Sequence, residues 1–325
     1  MPSIVSSYPG PPRFQYNGHM QTIVPSLTRR IPGLSYQRER LTLSDNDFVD
    51  LDWLRQPQHR KLVVLTHGLE GDSHRHYILG TAKLFHANGF DVLAWNCRSC
   101  SGEMNRAFRL YNHGEIGDIG EVIAHALRQK SYDEVILVGY SMGGNISLKW
   151  AGVHGANVPK PVKKVIAISA PVNLITSAPL LDLPRNRFYR NRFMRKLLVK
   201  ITHKAQQFPG RLDLAKLKQV RWWKDFDDAF SAPVNGYRDA DDFYTQASAI
   251  RFVDTLTIPA LILNAQNDPL LSPECFPHEL ARHMDNLFVE TPTLGGHVGF
   301  MVRGDAHTYA ERRALAFALG QPISF

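Results

Sequence analysis

The run Val135-Ile136-Leu137-Val138-Gly139-Tyr140-Ser141-Met142-Gly143-Gly144-Asn145 decides how this chain is read. Its apolar, largely β-branched start predicts a strand over 134–139 that is buried on both faces. Residues 145–151 predict a helix. Between the two lies Gly-x-Ser-x-Gly, a tight strand-to-helix turn that lifts a serine hydroxyl above the sheet edge as a nucleophile elbow. Gly139 and Gly143 flank the turn, where a Cβ would crowd the serine backbone and the following helix. Such strings arise by chance, but this one sits between a strand and a helix. Ser141 is therefore the candidate nucleophile rather than a structural turn serine.

Working outward, 37–43 and 48–54 predict an antiparallel hairpin around Ser44-Asp45-Asn46-Asp47. Strands and helices then alternate: strand 62–66, helix 77–88, strand 91–95, helix 116–129, and the elbow. Strands 165–169, 260–264 and 287–290 follow, with a closing helix over 305–319. This alternation implies an α/β chain with a mostly parallel central sheet flanked by helices on both faces. Right-handed crossovers would gather the strand C-terminal ends, and any active site, along one edge. Residues 1–35 are rich in Pro and Gly and predict an arm packed on a body spanning 36–325. From about 171 to 251 the alternation stops in a helical, basic and aromatic stretch too long for a loop. It predicts a cap inserted after the sixth strand.

A serine hydroxyl needs a base to take its proton, and that base needs a third group to orient it. On such a sheet the order is serine, acid, histidine. Asp268 follows the strand 260–264 and is the expected acid; its plainer role is a turn residue before Pro269. His297, in Gly295-Gly296-His297-Val298-Gly299 after the last strand, is the expected base. Of the 14 histidines it alone lies in a glycine-rich loop at that place. Two backbone N–H groups should hold an oxyanion: Met142, just after the nucleophile, and Leu69, in the loop His67-Gly68-Leu69-Glu70-Gly71. His67 is expected to order that loop rather than act as a base.

Composition narrows the function. The chain has 325 residues, an ordinary 44% hydrophobic content and a formal net charge of +8. No nucleic-acid-binding module accompanies the charge, which concentrates in 185–211. There is no secretory leader pattern and no apolar run long enough to span a bilayer, so the expectation is a cytoplasmic protein. The three cysteines fit a reducing compartment. Cys97 and Cys100 lack the second ligand pair of a zinc site, and nothing completes His74 and His76. No metal or other cofactor is expected.

The ordered motifs resemble the α/β-hydrolase superfamily, and more narrowly the YheT-type esterases of bacteria and the related eukaryotic α/β-hydrolase-domain lipid esterases. The narrower resemblance rests on Asn17-Gly18-His19-Met20-Gln21-Thr22-Ile23, the 67–71 loop, Asn96-Cys97-Arg98-Ser99-Cys100-Ser101-Gly102-Glu103, the elbow and Gly296-His297-Val298-Gly299. It implies the α/β-hydrolase fold, ester hydrolysis and a Ser141, Asp268, His297 triad. Related sequences favour Arg-Gly where this chain has Arg98-Ser99, which bears on loop shape. The eukaryotic relatives carry a membrane anchor ahead of the hydrolase domain, and a membrane-resident role is not carried over.

The cap leaves the substrate open. Trp222, Trp223, Phe226 and Phe230 recur at helical spacing; the first three are candidates for an acyl pocket, against a plainer role as the cap's own core. The basic run from Arg185 to Lys204 reads either as a solvated helix face or as a peripheral seat on anionic membrane. The expected function is a serine carboxylesterase for small-molecule or lipid esters. Its rivals are an acyltransferase with the same triad and a non-catalytic membrane-surface binder.

Overall fold

A computed structural model describes residues 3–323. Its strands are β1 (Ser3–Ile4), β2 (Gln37–Thr42), β3 (Phe48–Leu54), β4 (Lys61–Thr66), β5 (Phe90–Asn96), β6 (Glu134–Tyr140), β7 (Val162–Ile168), β8 (Ala260–Leu263) and β9 (Leu287–Glu290). They form one sheet in the order β1-β9-β8-β7-β6-β4-β5-β3-β2. The hairpin β2–β3 is antiparallel, as is the pairing of β3 with β5; the pairings from β5 through to β1 are parallel. This is the α/β-hydrolase fold the sequence implies.

The inner strands are apolar on both faces because both are covered. Leu62 and Val64 of β4 join one core with α3 (Gly117–Gln129) and α4 (Met142–His154). Val63 and Leu65 join the other with α2 (His76–Ala87) and the closing helix Tyr309–Leu319. Strand order reverses at β4, which lies between β5 and β6, so the loops after β4 and β6 face each other across a crevice.

The arm is more structured than its composition suggests. It adds β1, paired with Val289 and Glu290, and a helix, α1 (Gly18–Thr28), capped by Asn17. That helix buries Gly18, Gln21, Thr22 and Pro25, so it has no apolar stripe for a periodicity argument to find. Arg29 ties the arm to Glu311 of the closing helix through a buried ion pair, with Nη2 donating to Oε2 at 2.8 Å.

Between β7 and β8 the chain forms a helical cap dominated by Arg187–Gln207. The cap has its own apolar core, including Leu197, Ile201, Phe226, Phe230 and Phe243. The expected solvated basic face is only partly so. Lys200 donates to Glu70 Oε1 at 2.7 Å, and Lys204 is buried, donating to the carbonyls of Asn105 and Ala107 at 2.6 Å. These lysines fasten cap to body, while Arg185, Arg187 and Arg195 remain exposed. No described helix is long and apolar enough to cross a membrane.

The Arg98-Ser99 departure has a local answer. Ser99 adopts φ 61°, the left-handed region in which glycine is favoured. Its hydroxyl donates to Asn105 Oδ1 at 2.5 Å and accepts from Asn105 N–H, bonds a glycine could not make. Arg98, fully buried, is held by Asp47 and Asp118.

Candidate active site

Ser141 terminates β6 at φ 54°, ψ −121°, a conformation costly for a residue with a Cβ. Its N–H donates to Ile168 O at 2.8 Å, which pins the turn to β7. A Cβ on Gly139 would lie 2.1 Å from Gly143 O, and one on Gly143 would lie 2.2 Å from Thr66 O. Backbone cannot yield that far, so both positions demand glycine. Helix α4 begins at Met142, earlier than periodicity suggests, because Met142-Gly143-Gly144 is helical without carrying an apolar repeat.

The structure brings Asp268 and His297 to this serine. His297 Nδ1 donates to Asp268 Oδ2 at 2.8 Å, and His297 Nε2 accepts from Ser141 Oγ at 2.8 Å. The Asp268 carboxylate is buried, and its other oxygen accepts from Leu270 N–H at 2.8 Å. With Nδ1–H committed to the carboxylate, Nε2 is left as the basic nitrogen.

A set of positioning residues lies in the arm, where sequence reasoning assigned no role. Thr22 Oγ1 accepts from His297 N–H at 2.8 Å and donates to Gly18 O at 2.6 Å. Gln21 Oε1 accepts from Gly295 N–H and from Asn267 Nδ2, and Asn267 Oδ1 accepts from Gly296 N–H. The acid loop and the histidine loop are thus bound to each other and to α1. Ser169 Oγ adds a bond from Val298 N–H at 2.9 Å. The signal available was the arm string 17–23 itself, which holds uncharged polar residues that α1 buries.

Leu69 and Met142 flank Ser141 across the crevice. A Cβ built on Gly68 would come 3.0 Å from Ser141 Cβ, so the two loops are in contact. Among the described residues neither the Leu69 nor the Met142 N–H donates a hydrogen bond, and Met142 is the first residue of its helix. The loop is held rigidly around them. Glu70, at φ 55°, donates its N–H to the Tyr111 hydroxyl, and its carboxylate accepts from Tyr111 and Lys200. His67 is fully buried, with Nδ1 donating to Gly68 O and Nε2 accepting from Cys97 N–H. Burial pushes its pKa down to about 4, which keeps it neutral, and both nitrogens are occupied in ordering the loop. Cys97 and Cys100 are free thiols whose pKa values burial raises, Cys100 to about 11. Among the described residues no cluster of three or more His, Cys, Asp or Glu side chains is placed to hold a metal ion.

Ser141 and His297 open into two spaces. One is an apolar cavity under the cap, walled by residues that include Leu69, Leu174, Leu197, Trp223, Phe226 and Phe243. Trp223 and Phe226 line it while also belonging to the cap core. Trp222 does not: its side chain is 54% exposed, with the Arg190 guanidinium over its ring. Its backbone is extended, ahead of the first helical residue, so it points off the helix that carries its neighbours. The other space is a broad groove between arm and cap, bordered by Arg30, Arg75, Arg192, His74 and Tyr189.

A family model described as the alpha/beta hydrolase fold matches residues 61–303. The chain is 34% identical over 292 residues to an Escherichia coli protein named "Putative esterase YheT", covering 88% of this chain and 84% of that one. It is 27% identical over 290 residues to mouse "Phospholipase ABHD3", covering 86% and 70%. Among solved structures, an esterase of Pyrococcus furiosus superposes with a TM-score of 0.57 at 14% identity over 90% of this chain and 94% of that one, a likeness of fold.

Proposed function

The chain belongs to the α/β-hydrolase family, and on that footing we propose that it is a serine esterase acting on carboxylic esters of lipid type. The observation that carries this reading is the unbroken relay from Ser141 Oγ through His297 to Asp268, two bonds of 2.8 Å each, beside two backbone N–H groups with no partner among the described residues. Ser141 Oγ attacks the ester carbonyl as His297 Nε2 takes its proton. Asp268 stabilises the imidazolium through Nδ1–H. The carbonyl oxygen becomes an oxyanion held by the N–H groups of Leu69 and Met142, each worth about 3 kcal/mol of transition-state stabilisation. His297 returns the proton to the departing alkoxide and then deprotonates water, which releases the acid from Ser141.

The two spaces divide the substrate. The apolar cavity suits the acyl chain, since burying each methylene favours binding by about 0.8 kcal/mol. The groove bordered by Arg30, Arg75 and Arg192 suits the alcohol side, where an anionic headgroup would meet cations. The mouse relative's name, a phospholipase, fits that division. The test is Ser141→Ala against p-nitrophenyl acetate, p-nitrophenyl octanoate and a fluorophosphonate label. Turnover and labelling are expected to vanish; labelling that persists in the variant would overturn the assignment.

A further inference from the structure

The wall of the apolar cavity is interrupted by polar groups that the ester chemistry does not use. Asp227 lines the cavity yet is only 3% exposed. It opens a single π-helical turn, Asp227–Ser231, a widened helix geometry often found at functional sites. Its carboxylate accepts from the Tyr244 hydroxyl at 2.6 Å, and the side chains of Ser231 and Trp223 also donate to it. No lysine, arginine or histidine is in ion-pair contact with it among the described residues. The charge of Asp228, which acts on it, is of the same sign. His113, also on the cavity wall, is kept neutral by burial, with its pKa lowered to about 4.

Asn235 stands on the same wall. Its Nδ2 donates to Ser231 O at 2.9 Å. A carbonyl can only accept, so the amide orientation is fixed. The buried Oδ1 is left without any hydrogen bond among the described residues. The cavity wall therefore carries an amide oxygen with no donor and a carboxylate with no cation beside it. Burying an acceptor without a donor, or a charge without a counter-charge, is costly, so their natural complement is a donor brought by the ligand.

We infer that the cavity holds a second recognition site, in which Asp227 and Asn235 accept hydrogen bonds from a hydroxyl or ammonium group carried on the acyl chain of the substrate. Plain hydrocarbon would leave the Asn235 oxygen without a donor and the Asp227 charge without a cation; a hydroxylated or aminated chain would answer them. The inference rests on the serine esterase reading, with the acyl group bound on the cavity side of Ser141.

The test compares kcat/KM of wild-type protein on p-nitrophenyl octanoate with a series bearing one hydroxyl at each carbon from the third to the eighth. The matching amino and methyl-ether esters complete the set. At one or two adjacent positions the hydroxyl or amino ester should exceed the plain ester by about tenfold or more, the size of a hydrogen bond to a charged group. The methyl ether, which cannot donate, should fall below the plain ester there, and the hydroxyl and amino arms separate a neutral donor from a cation. Within Asp227→Leu, checked for folding by circular dichroism, the ratio should reverse in favour of the plain chain; Asn235→Leu, with the same expectation, serves if that variant does not fold. A wild-type preference for the plain chain at every position, or a preference unchanged in the variants, overturns the inference. Failure of wild type to hydrolyse even p-nitrophenyl acetate would instead overturn the esterase reading.

Discussion

Replacing Thr22 by valine removes one oxygen, keeps the shape of the side chain, and lies on a different element from all three residues of the relay. Thr22 Oγ1 is the acceptor for the buried N–H of His297 at 2.8 Å. Valine cannot accept, and the stranded donor should cost about 1–3 kcal/mol. If that cost falls on the conformer in which Nε2 reaches Ser141, kcat/KM drops roughly fivefold to 150-fold. Steady-state hydrolysis of p-nitrophenyl acetate separates the effects: kcat should carry the loss and KM should hardly move. The rate of fluorophosphonate labelling should fall in parallel, because it uses the same base. Thr22→Ser keeps the acceptor and should recover most of both rates. The reasoning is refuted if Thr22→Val loses thermal stability but keeps kcat and labelling within twofold of wild type, or if Thr22→Ser is as impaired as Thr22→Val.

Two further outcomes follow from close contacts and buried charge. Gly139→Ala would place a Cβ 2.1 Å from the Gly143 carbonyl oxygen, so it should destabilise the fold by about 3 kcal/mol or more in urea unfolding; a loss under 1 kcal/mol would contradict the packing argument. Burial pushes the Asp227 carboxyl up from an ordinary 3.8 to about 6. Between those values the folded state binds more protons than the unfolded one, so the stability of wild type falls as pH rises through the window and stays low above it. Asp227→Asn should therefore be more stable than wild type by about 3 kcal/mol at pH 8, an advantage that fades towards pH 4. A stability gain independent of pH would sink this account.

The sheet was legible because its strands obey simple patterns. Leu62-Val63-Val64-Leu65 is apolar throughout, as a doubly covered strand must be, and Gly139 to Gly143 allows little besides a turn between strand and helix. The loop residues Asp268 and His297 were legible for another reason: the order of strands dictates which loops can meet Ser141, and few candidates occupy them. The arm escaped because both rules fail there. Helix α1 buries Gln21 and Thr22 rather than an apolar face, and its stability comes from hydrogen bonds to Asn267, Gly295 and His297, all far away in sequence. Strand β1 is two residues long, too short for any alternation to register.

The cap failed in a more instructive way. Trp222, Trp223, Phe226 and Phe230 share one face only if the helix runs unbroken at its usual pitch. Trp222 lies ahead of the helix in extended backbone, and the π-helical turn after Phe226 widens the spiral by one residue. Phe230 enters the cap core with Trp223 and Phe226, while Asp227 and Ser231 reach the cavity wall beside Trp223 and Phe226. An aspartate between two buried aromatics reads, at the usual pitch, as the polar side of an amphipathic helix. In the structure it lies inside, at the first residue of the widened turn. The same stretch that defeats the periodicity argument carries the carboxylate that lacks a cation, so the part of this chain least readable from sequence is the part on which the proposed acyl-chain recognition turns.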